Sequence, residues 1–430
     1  MGLFVCRYLF IGFYRLLFLP LLLLFLPYYL WRMVRRGGYG KYFYHRFGWL
    51  PRVKAGNKVV WIQAVSVGEV EALEPLLSQM QQAGISVYLT TTTSTGFRVA
   101  QQKYRNVVSQ IAYFPLDFWF FSHLAWARIR PFKAILMESE LWPEHLFQAY
   151  KHKVPVYIIN GRCSDKTYKN YKIGYKFVRI VFGFVSKILA SSEYDAQRLR
   201  EFCPINVSVD VVGNLKVDAA LNGKTASTKS KVNRSDLGES WENARILLGA
   251  STWHGEEEML VQFYTKVKVH YPELKLILVP RHVERTPTIE IILKQYGVHY
   301  GLRTSHKKDA DVYVVDTTGE LKFFVCLANY VFIGKSLAPN FGGQTPIEAA
   351  AFGKPMVYGP HMENFKSICA GLERVNGAVR CQNEEDVQEQ LLRWLDDPAD
   401  ALHYGQSAQS WIMQNQGATQ RTMQAIFFED

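Results

Sequence analysis

The fold of this chain is decided by residues 59–70, which read VVWIQAVSVGEV. The first half of this stretch is apolar and rich in β-branched residues, as is typical of a buried strand, and Ser66, Val67 and Gly68 turn it into a helix. Glu69 then falls in the first turn of that helix, beside unpaired amide groups. Open α/β folds bind ligands at this edge of a parallel sheet, so Glu69 is a candidate catalytic base. The helix dipole also favours Glu here, which leaves a purely structural role open.

Strand-like and helix-like segments alternate on both sides of this stretch. Such alternation predicts α/β domains with doubly wound, largely parallel sheets. The predicted strands cover residues 58–64, 85–90, 111–113, 134–137, 156–159, 188–191 and 209–212 in the first half, and 245–249, 275–279, 311–316 and 330–333 in the second.

Composition and charge restrict the class of protein. The chain has 430 residues, of which 48% are hydrophobic and 20% charged, and this excludes a wholly disordered protein. Residues 1–68 contain ten Lys or Arg and no Asp or Glu, so everything after them contributes only +2 to the formal net charge of +12. The charge therefore favours a membrane surface near the N-terminus over nucleic acid. The six scattered cysteines form no CxxC pair, which favours a reducing compartment without structural zinc or disulfides.

Residues 8–31 are almost wholly apolar and long enough to cross a bilayer. Arg15, Pro20 and Pro27 interrupt them, so a helix lying in the membrane interface is the alternative. No small-residue cleavage site follows, which argues against a cleaved signal peptide. The positive-inside rule places the body of the protein in the cytoplasm, because three cations follow directly: Arg32, Arg35 and Arg36.

We therefore expect four segments. They are a membrane anchor at 1–36, an N-terminal Rossmann-like domain at 37–221, a polar linker at 222–240 and a C-terminal Rossmann-like domain at 241–430. The last helix of the chain can pack back onto the N-terminal domain.

Polar residues follow the predicted strands of the first half and are expected to meet at one rim of the sheet. Each of them alone is more typical of a cap or turn than of a functional site. They are Glu69, Thr91 to Thr95, Asp117, Glu138, Glu140, Asn160 and Arg162.

Two further stretches have two interpretations each. The aromatic residues 118–121 are either core or a second lipid contact, and the basic residues 166–187 form either a solvated face or a surface for anionic lipid or a phosphorylated acceptor.

The most informative piece of the second half is residues 341–351, which read FGGQTPIEAAA. Gly342 and Gly343 lead into a helix with Pro346 near its first turn, so free backbone N–H groups are offered to an anion. Glu348 lies one turn in, where it can accept hydrogen bonds from a ribose hydroxyl. A nucleotide on this domain and a base on the first, facing each other across a cleft, correspond to the GT-B arrangement.

Several other patterns carry less weight. Asp309 and Asp311 fit the DxD motif of metal-dependent glycosyltransferases but precede a strand instead of following one. His254 and His282 have no ligand partners at metal spacing. No GxGxxG, P-loop or GxSxG motif occurs where a nucleotide or hydrolase site needs one.

Taken together, the motifs resemble the 3-deoxy-D-manno-octulosonic acid (Kdo) transferases of Gram-negative lipopolysaccharide synthesis, from the anchor almost to the end of the chain. The matching motifs are SVGE at 66–69, PLD at 115–117, MESELWP at 137–143, GNLK at 213–216, STWHGEE at 251–257, PRHVER at 280–285, GGQTPIE at 342–348 and NQGA at 415–418.

The resemblance implies an inverting GT-B enzyme that moves Kdo from CMP-Kdo to the lipid A precursor at the cytoplasmic face of the inner membrane. It implies no cofactor, no metal and no nucleic-acid partner. Glu69 would be the proton acceptor, with Glu138 and Lys216 supporting the transition state. CMP would be held at Pro280, Arg281, Thr318, Gly319, Glu320, Thr345, Pro346, Ile347 and Glu348. Thr345 replaces the usual Asn of the family and Trp253 is an unusually bulky turn residue, which leaves the fine donor contacts open.

Two alternatives stay open at this stage. One is a GT-B protein with another donor, such as a nucleotide-sugar epimerase or a different lipid glycosyltransferase, and the anchor disfavours a soluble epimerase. The other is a membrane-tethered binding protein without catalysis, which the joint presence of Glu69, Arg281 and Glu348 disfavours.

Overall fold

The computed structural model describes residues 2–35, 40–53, 58–227 and 232–428. They form two compact units, the first made of Met1–Ala219 with Gly417–Asp430 and the second of Ala220–Gln416. Parts of the predicted anchor and linker lie outside this description, among them Arg36, residues 228–231, and the side chains of Tyr29, Arg32 and Arg35.

The first unit is built on a sheet of seven parallel strands in the order β3-β2-β1-β4-β5-β6-β7. Strand β1 lies between β2 and β4, with Ile62 paired to Leu89 on one side and to Ile135 on the other. The strands are β1 Val59–Ala64, β2 Ser86–Thr91, β3 Gln110–Tyr113, β4 Lys133–Met137, β5 Val156–Gly161, β6 Lys187–Ala190 and β7 Ser208–Val211.

The second unit repeats this design with the strand order β10-β11-β9-β8-β12-β13-β14, again all parallel. The strands are β8 Arg245–Thr252, β9 Leu274–Pro280, β10 Tyr300–Leu302, β11 Val312–Val314, β12 Tyr330–Ile333, β13 Met356–Tyr358 and β14 Val379–Arg380. The α/β fold class with two doubly wound, Rossmann-like domains is therefore confirmed.

Helices connect the strands and cover both faces of each sheet, as parallel sheets require. Those up to the unit boundary are α1 Gly2–Arg35, α2 Val67–Ala72, α3 Glu74–Gln82, α4 Ser94–Tyr104, α5 Trp119–Ile129, α6 Pro143–Lys151, α7 Asp165–Ile173, α8 Tyr175–Phe182, α9 Glu193–Phe202 and α10 Leu215–Ser227. Those that follow are α11 Arg234–Leu237, α12 Glu256–Val267, α13 Thr286–Gln295, α14 Leu321–Leu327, α15 Ile347–Ala351, α16 Lys366–Arg374, α17 Glu384–Asp396, α18 Pro398–Gln414 and α19 Ala418–Phe427. Short 3₁₀ helices cover Gly40–Phe47, Glu239–Trp241, Val283–Arg285 and Glu363–Phe365.

Strand β1 shows how the sequence builds the core of the first unit. All six of its residues are buried, and they alternate between the two faces of the sheet. Val59 and Trp61 belong to one apolar cluster, and Val60, Ile62 and Ala64 to the cluster on the opposite face. A continuous apolar run is thus what a strand covered on both faces needs.

The last helix, α19, belongs to the first unit. Met423 and Ile426 on α19 are buried in the same cluster as Leu76 and Met80 of α3. The backbone N–H groups of Gly417 and Thr419 at the start of α19 donate to the Asp218 carboxylate, at 2.8 and 2.6 Å. The chain therefore returns to its first unit after completing the second.

Helices α2 and α3 meet at Leu73, because Pro75 has no amide hydrogen to continue α2 and lies in the first turn of α3. Two parts of the structure differ from the sequence predictions. Helix α10 continues to Ser227, inside the predicted linker at 222–240. The short strands β10, β13 and β14 were not predicted.

Candidate active site

The carboxyl ends of β1 and β4 lie at the centre of the first sheet, where the strand order reverses. β2 and β3 extend to one side of β1, and β4 to β7 extend to the other. Ligands of open α/β sheets bind outside this switch point, because the helices that follow the two strands go to opposite faces. Glu69 follows β1 and Glu138 follows β4, so both carboxylates lie at this point.

Helix α2 positions Glu69. Ser66 is the extended N-cap residue of α2, and Glu69 is the third residue of the helix, as predicted. The carboxylate turns back over the cap: Oε2 accepts the backbone N–H of Val65 at 2.8 Å, and Oε1 accepts the Ser66 hydroxyl at 2.9 Å. Each oxygen keeps a further lone pair that can accept a proton.

The environment of Glu69 raises its pKa. The side chain is 7% exposed, and burial, with a smaller contribution from the negative charge of Glu138, raises the pKa to about 7. The hydrogen bonds from Val65 and Ser66 act in the opposite direction and are outweighed. A pKa near neutrality is what a general base needs, because the group is ionised at neutral pH and still binds a proton well.

Glu138 forms an ion pair with Lys216 beside this base. Lys216 Nζ lies 2.6 Å from Glu138 Oε1, and Arg162 Nη1 lies 3.7 Å from the same oxygen. Burial would raise the pKa of Glu138, but the two cations outweigh burial and lower it. Glu138 also adopts a left-handed backbone conformation with φ of 58°. Such strain is uncommon outside glycine and is concentrated at functional sites.

The loop after β7 places Lys216. Gly213 has φ of 92°, and the Asn214 side chain accepts the backbone N–H of Lys216 at 3.0 Å. Asn160, at the end of β5, accepts the N–H of Leu215 at 3.1 Å and is fully buried. Residues that follow β1, β4, β5 and β7 thus come together around one ion pair.

Glu140 is a further carboxylate of this group, although no site role was predicted for it. Burial first, and then the charges of Glu69 and Glu138, raise the pKa of Glu140 to about 7. Its position two residues after Glu138, in the same loop, was the available signal. Arg162 likewise entered the sequence analysis only as a polar residue after a strand.

Asp117 does not join the carboxylate group. It is buried and accepts the backbone N–H groups of Glu144 and His145 at 3.2 and 2.9 Å, at the start of α6. Burial raises the pKa of Asp117 to about 7. This carboxylate therefore has a structural role at a helix N-terminus.

In the second unit, the strand order reverses between β8 and β12. Glu256 joins the loops that follow these two strands. Its buried carboxylate accepts four backbone N–H groups within 3.2 Å, from Trp253, Lys335, Ser336 and Leu337. Burial outweighs these bonds and raises the pKa of Glu256 to about 7.

Arg281 and Pro280 lie at the carboxyl end of β9, next to β8. Pro280 is the last residue of the strand and pairs with Thr252, whose carbonyl accepts the Arg281 N–H at 3.1 Å. The Arg281 side chain is exposed. A guanidinium group held at the carboxyl edge of a sheet is suited to bind a phosphate.

Thr318, Gly319 and Glu320 form the turn after β11 that leads into α14. Gly319 has φ of 84°, a conformation that favours glycine. Glu320 is paired with Arg303 at 3.1 Å and also accepts the Thr317 hydroxyl, and these interactions lower its pKa against the opposing effect of burial. The Glu320 carboxylate is therefore fixed and ionised.

The glycine-rich loop runs from β12 to α15. Gly343 N donates to the Lys335 carbonyl at 3.0 Å, and a Cβ at Gly343 would lie 2.4 Å from Met362 Sδ. Helix α15 is short, with the five residues Ile347–Ala351 and Pro346 as its N-cap. The Thr345 hydroxyl accepts the N–H of Ile347 at 3.3 Å, and Glu348 lies in the first turn.

The DxD residues are engaged in local structure. Asp309 Oδ1 accepts the backbone N–H of Ser240 at 2.9 Å, and Asp311 pairs with Lys275 at 2.9 Å.

Trp253, the bulky turn residue, packs edge to face on the His282 ring and lies under Lys335 Nζ.

Comparison with known proteins assigns the family. A family model described as 3-deoxy-D-manno-octulosonic-acid transferase (kdotransferase) matches residues 41–219. A 3-deoxy-D-manno-octulosonic acid transferase of Bordetella pertussis is 30% identical over 421 residues, covering 92% of this chain and 94% of that protein. One of Haemophilus influenzae is 29% identical, covering 85% of this chain and 86% of that protein.

Among solved structures, a UDP-GlcNAc 2-epimerase of Neisseria meningitidis has a TM-score of 0.61 at 15% identity, covering 87% of this chain and all of that one. At this identity the likeness shows the fold alone. The extent and level of the sequence matches show more: the chain is a glycosyltransferase and belongs to the family of 3-deoxy-D-manno-octulosonic acid transferases.

Proposed function

We propose that this enzyme transfers Kdo from CMP-Kdo to the lipid A precursor, lipid IVA, in lipopolysaccharide biosynthesis. The proposed reaction inverts the anomeric centre, with Glu69 as general base. The acceptor hydroxyl attacks the anomeric carbon, its proton passes to the Glu69 carboxylate, and the bond from that carbon to the phosphate oxygen of CMP breaks. The family membership supports the donor sugar, and the carboxylate group of the first unit supports the mechanism.

The observation that carries this proposal is the buried Glu69 carboxylate at the sheet switch point. An inverting transfer needs one base with a pKa near the working pH, and burial gives Glu69 a pKa of about 7. Two hydrogen bonds hold its oxygens in place before a substrate arrives. Such preorganisation is the main way in which proteins stabilise a transition state.

The Glu138–Lys216 pair is proposed to support the transition state. The 2.6 Å contact fixes the Lys216 ammonium group, because Glu138 is itself held by the strained end of β4. A fixed cation here can offset the negative charge of the Kdo carboxylate or of the departing phosphate. Such a cation has most effect in a site from which water is excluded.

The second unit is proposed to bind CMP along the carboxyl edge of its sheet. The exposed Arg281 guanidinium suits the phosphate, and Glu348 in the first turn of α15 suits the ribose. The full proposed set lies at the end of β9, in the turn after β11 and at the start of α15: Pro280, Arg281, Thr318, Gly319, Glu320, Thr345, Pro346, Ile347 and Glu348. The leaving group carries one phosphate, so a cationic side chain can stabilise it without a divalent metal.

The proposed location is the cytoplasmic face of the inner membrane. Within the part of the chain that the structure describes, one helical segment, Arg7–Phe25 of α1, is long and apolar enough to cross a bilayer, judged by length and composition. A lipid acceptor resides in the membrane, so an enzyme held at its surface meets the acceptor in two dimensions.

Incubating the full-length protein in membrane vesicles with CMP-Kdo and lipid IVA tests this function. We expect one CMP to be released for each Kdo that appears on the lipid, and opposite anomeric configurations in donor and product. A chain that hydrolyses CMP-Kdo without forming a Kdo-lipid, or a product that retains the configuration, would contradict the proposal.

A further inference from the structure

Polar side chains on one face of α1 attach this helix to the first unit. Arg15 forms a two-point ion pair with the Glu144 carboxylate, with both N–O distances at 2.8 Å. Glu144 lies in α6 and is 0% exposed. Tyr14 donates its hydroxyl to Asp117 at 2.8 Å, and Asp117 also accepts the first amides of α6. The helix is thus hydrogen-bonded to buried carboxylates of the globular unit.

Apolar contacts extend along the same face of α1. Ile11 is 1% exposed and belongs to the core cluster of the first unit, and Arg7 donates to the Gly183 carbonyl at 2.8 Å. Three ring pairs complete the contact, with centroids 5.2 to 5.9 Å apart: Tyr8 with Phe147, Phe10 with Phe177, and Phe18 with Phe118. The attached part therefore runs from residue 7 to residue 18, about 17 Å of helix.

The opposite face of this part is apolar and exposed. Leu9, Phe13, Leu16 and Leu17 are 69%, 52%, 73% and 45% exposed. At 100° per residue Leu9, Phe13 and Leu16 lie about 140° to 160° around the helix from Ile11, and Leu17 lies at the border of this face. The same turns of α1 therefore present one face to the protein and an apolar face to the surroundings.

Neighbouring helices extend this apolar surface and add positive charge. Trp119 and Phe120 at the start of α5, next to Phe118, are 46% and 50% exposed, and Phe177 on α8 is 54% exposed. Exposed cations of α7 and α8 lie before and after Phe177 in the sequence. They are Lys166, Lys169, Lys172, Lys176 and Arg179. Aromatic residues beside exposed lysines are complementary to the interface of an anionic bilayer.

A helix that crosses the bilayer is incompatible with these attachments. Crossing would carry residues 7–18 into the hydrocarbon and separate Arg15 from Glu144, which would leave a buried carboxylate without its cation. The rest of the helix, residues 19–35, rises only about 25 Å, which is less than the hydrocarbon thickness of about 30 Å.

We propose that α1 lies in the plane of the cytoplasmic leaflet, with its exposed face among the lipids of an anionic bilayer and its other face on the first unit. The N-terminus and the first unit then lie on the same side of the membrane. This inference takes up the interfacial alternative of the sequence analysis. It rests on the membrane location proposed above, and its tests do not require transfer activity.

Thiol labelling of the full-length protein measures on which side of the membrane the N-terminus lies. Gly2→Cys and, as reference, Lys169→Cys are made in a chain with Cys6→Ser and Cys326→Ser, and a membrane-impermeant maleimide is applied to sealed vesicles of both orientations. We expect both thiols to react in inverted vesicles and neither in right-side-out vesicles. A thiol at residue 2 that reacts from the outer face, or only after detergent is added, would overturn the proposal.

Depth measurement provides a matched second test. An environment-sensitive fluorophore is attached to Leu9→Cys or Leu16→Cys, and quenching is compared between lipids with the quencher at a shallow and at a deep acyl position. An in-plane helix keeps both probes at one shallow depth, so their quenching ratios agree. A crossing helix separates them by about 10 Å, and clearly different ratios would contradict the proposal. Absence of quenching at both positions and depths would instead contradict the membrane location itself.

Discussion

Glu69 has a structural role at the start of α2 and is proposed to act as a base as well. Its carboxylate accepts the Val65 N–H and the Ser66 hydroxyl at the N-terminus of α2, and burial raises its pKa to near neutrality. A cap alone does not need burial, because exposed first-turn glutamates interact with the helix dipole equally well. The combination of burial, fixed geometry and a neighbouring ion pair therefore favours the base.

The ionisation of Glu69 predicts the pH dependence of transfer. The base must be deprotonated, and its pKa is about 7, so the rate should rise from pH 5 and level off above about pH 8. The measurement is kcat/KM against pH at constant ionic strength. A rate independent of pH between 5 and 8 would contradict this assignment.

Glu138→Gln provides the control for this pH profile. The negative charge of Glu138 contributes to the raised pKa of Glu69, and the variant leaves the Lys216 cation beside it. The rise in rate should therefore move to lower pH even though the maximum rate falls. A loss of rate without this movement would assign Glu138 a role independent of Glu69.

The same raised pKa predicts a stability effect. The pKa of Glu69 is higher in the folded chain than its ordinary value of 4.5, so the folded state binds more protons between pH 4.5 and 7. This carboxylate therefore lowers the free energy of unfolding as pH rises through that window. Glu69→Gln should be more stable than the wild type by up to about 3 kcal/mol at pH 8, with little difference at pH 4.

Urea unfolding at the two pH values measures this difference. Glu71→Gln, on an exposed side chain of the same helix, is the matched control for removal of a charge. If Glu69→Gln destabilised the chain at pH 8, its carboxylate would act mainly as a cap.

At the scale of elements, the strands that were not predicted are all short. β1, β4 and β9 have five to seven residues and are apolar except for one polar residue each, Gln63, Lys133 and Lys275, which is close to the pattern of a strand covered on both faces. β10 and β14 have three and two residues, too few for a periodicity to develop. Their formation depends on neighbouring strands of the sheet.

The candidate site was predictable where a carboxylate lies within a few residues of the end of a strand, as Glu138 does after β4 and Glu69 does after β1. That rule does not predict which of Glu140 and Asp117 lies near Glu69. Both follow strands of one sheet, yet Glu140 lies near Glu69 while Asp117 turns to the amides of α6. Side-chain direction within a loop depends on tertiary partners, which one sequence does not contain.

Glu256 gives a prediction for the second unit. Its carboxylate holds the loops after β8 and β12 through four backbone N–H groups. Glu256→Ala should lower the free energy of unfolding by about 3 kcal/mol, because buried amides lose their acceptor. CMP binding should weaken by about tenfold or more, since the glycine-rich loop loses its anchor.

Titration calorimetry with CMP and urea unfolding check the two parts of this prediction. Glu389→Ala, on the exposed face of α17, should change neither. If Glu256→Ala bound CMP as tightly as the wild type, the loop after β12 would not contribute to donor binding.

At the scale of the whole molecule, the two units divide the proposed chemistry. The first contains the carboxylate group and the helix α1, and the second contains the exposed Arg281 and the glycine-rich loop. The family membership covers both, since the relative from Bordetella pertussis matches 92% of the chain. The charge is divided as well, because the cations that exceed the acidic residues lie mostly before Glu69.

The side chains of the second unit predict that transfer does not depend on a divalent metal. Arg281 can stabilise a leaving group with one phosphate, and Asp309 and Asp311 are engaged with Ser240 and Lys275. Transfer by extensively chelated protein should therefore stay within twofold of the untreated rate. A loss of activity on chelation that Mg²⁺ alone restores would contradict this and return the DxD residues to the site.

The central claim, that Glu69 accepts the proton of the acceptor hydroxyl, is tested most directly with Glu69→Gln. Single-turnover transfer of Kdo and the Kd for CMP are measured on the same preparation at pH 8. We predict a Kd within about twofold of the wild type and a transfer rate lower by about 10²- to 10⁴-fold, the usual contribution of a general base. A variant that transfers Kdo within a few-fold of the wild-type rate would contradict the claim.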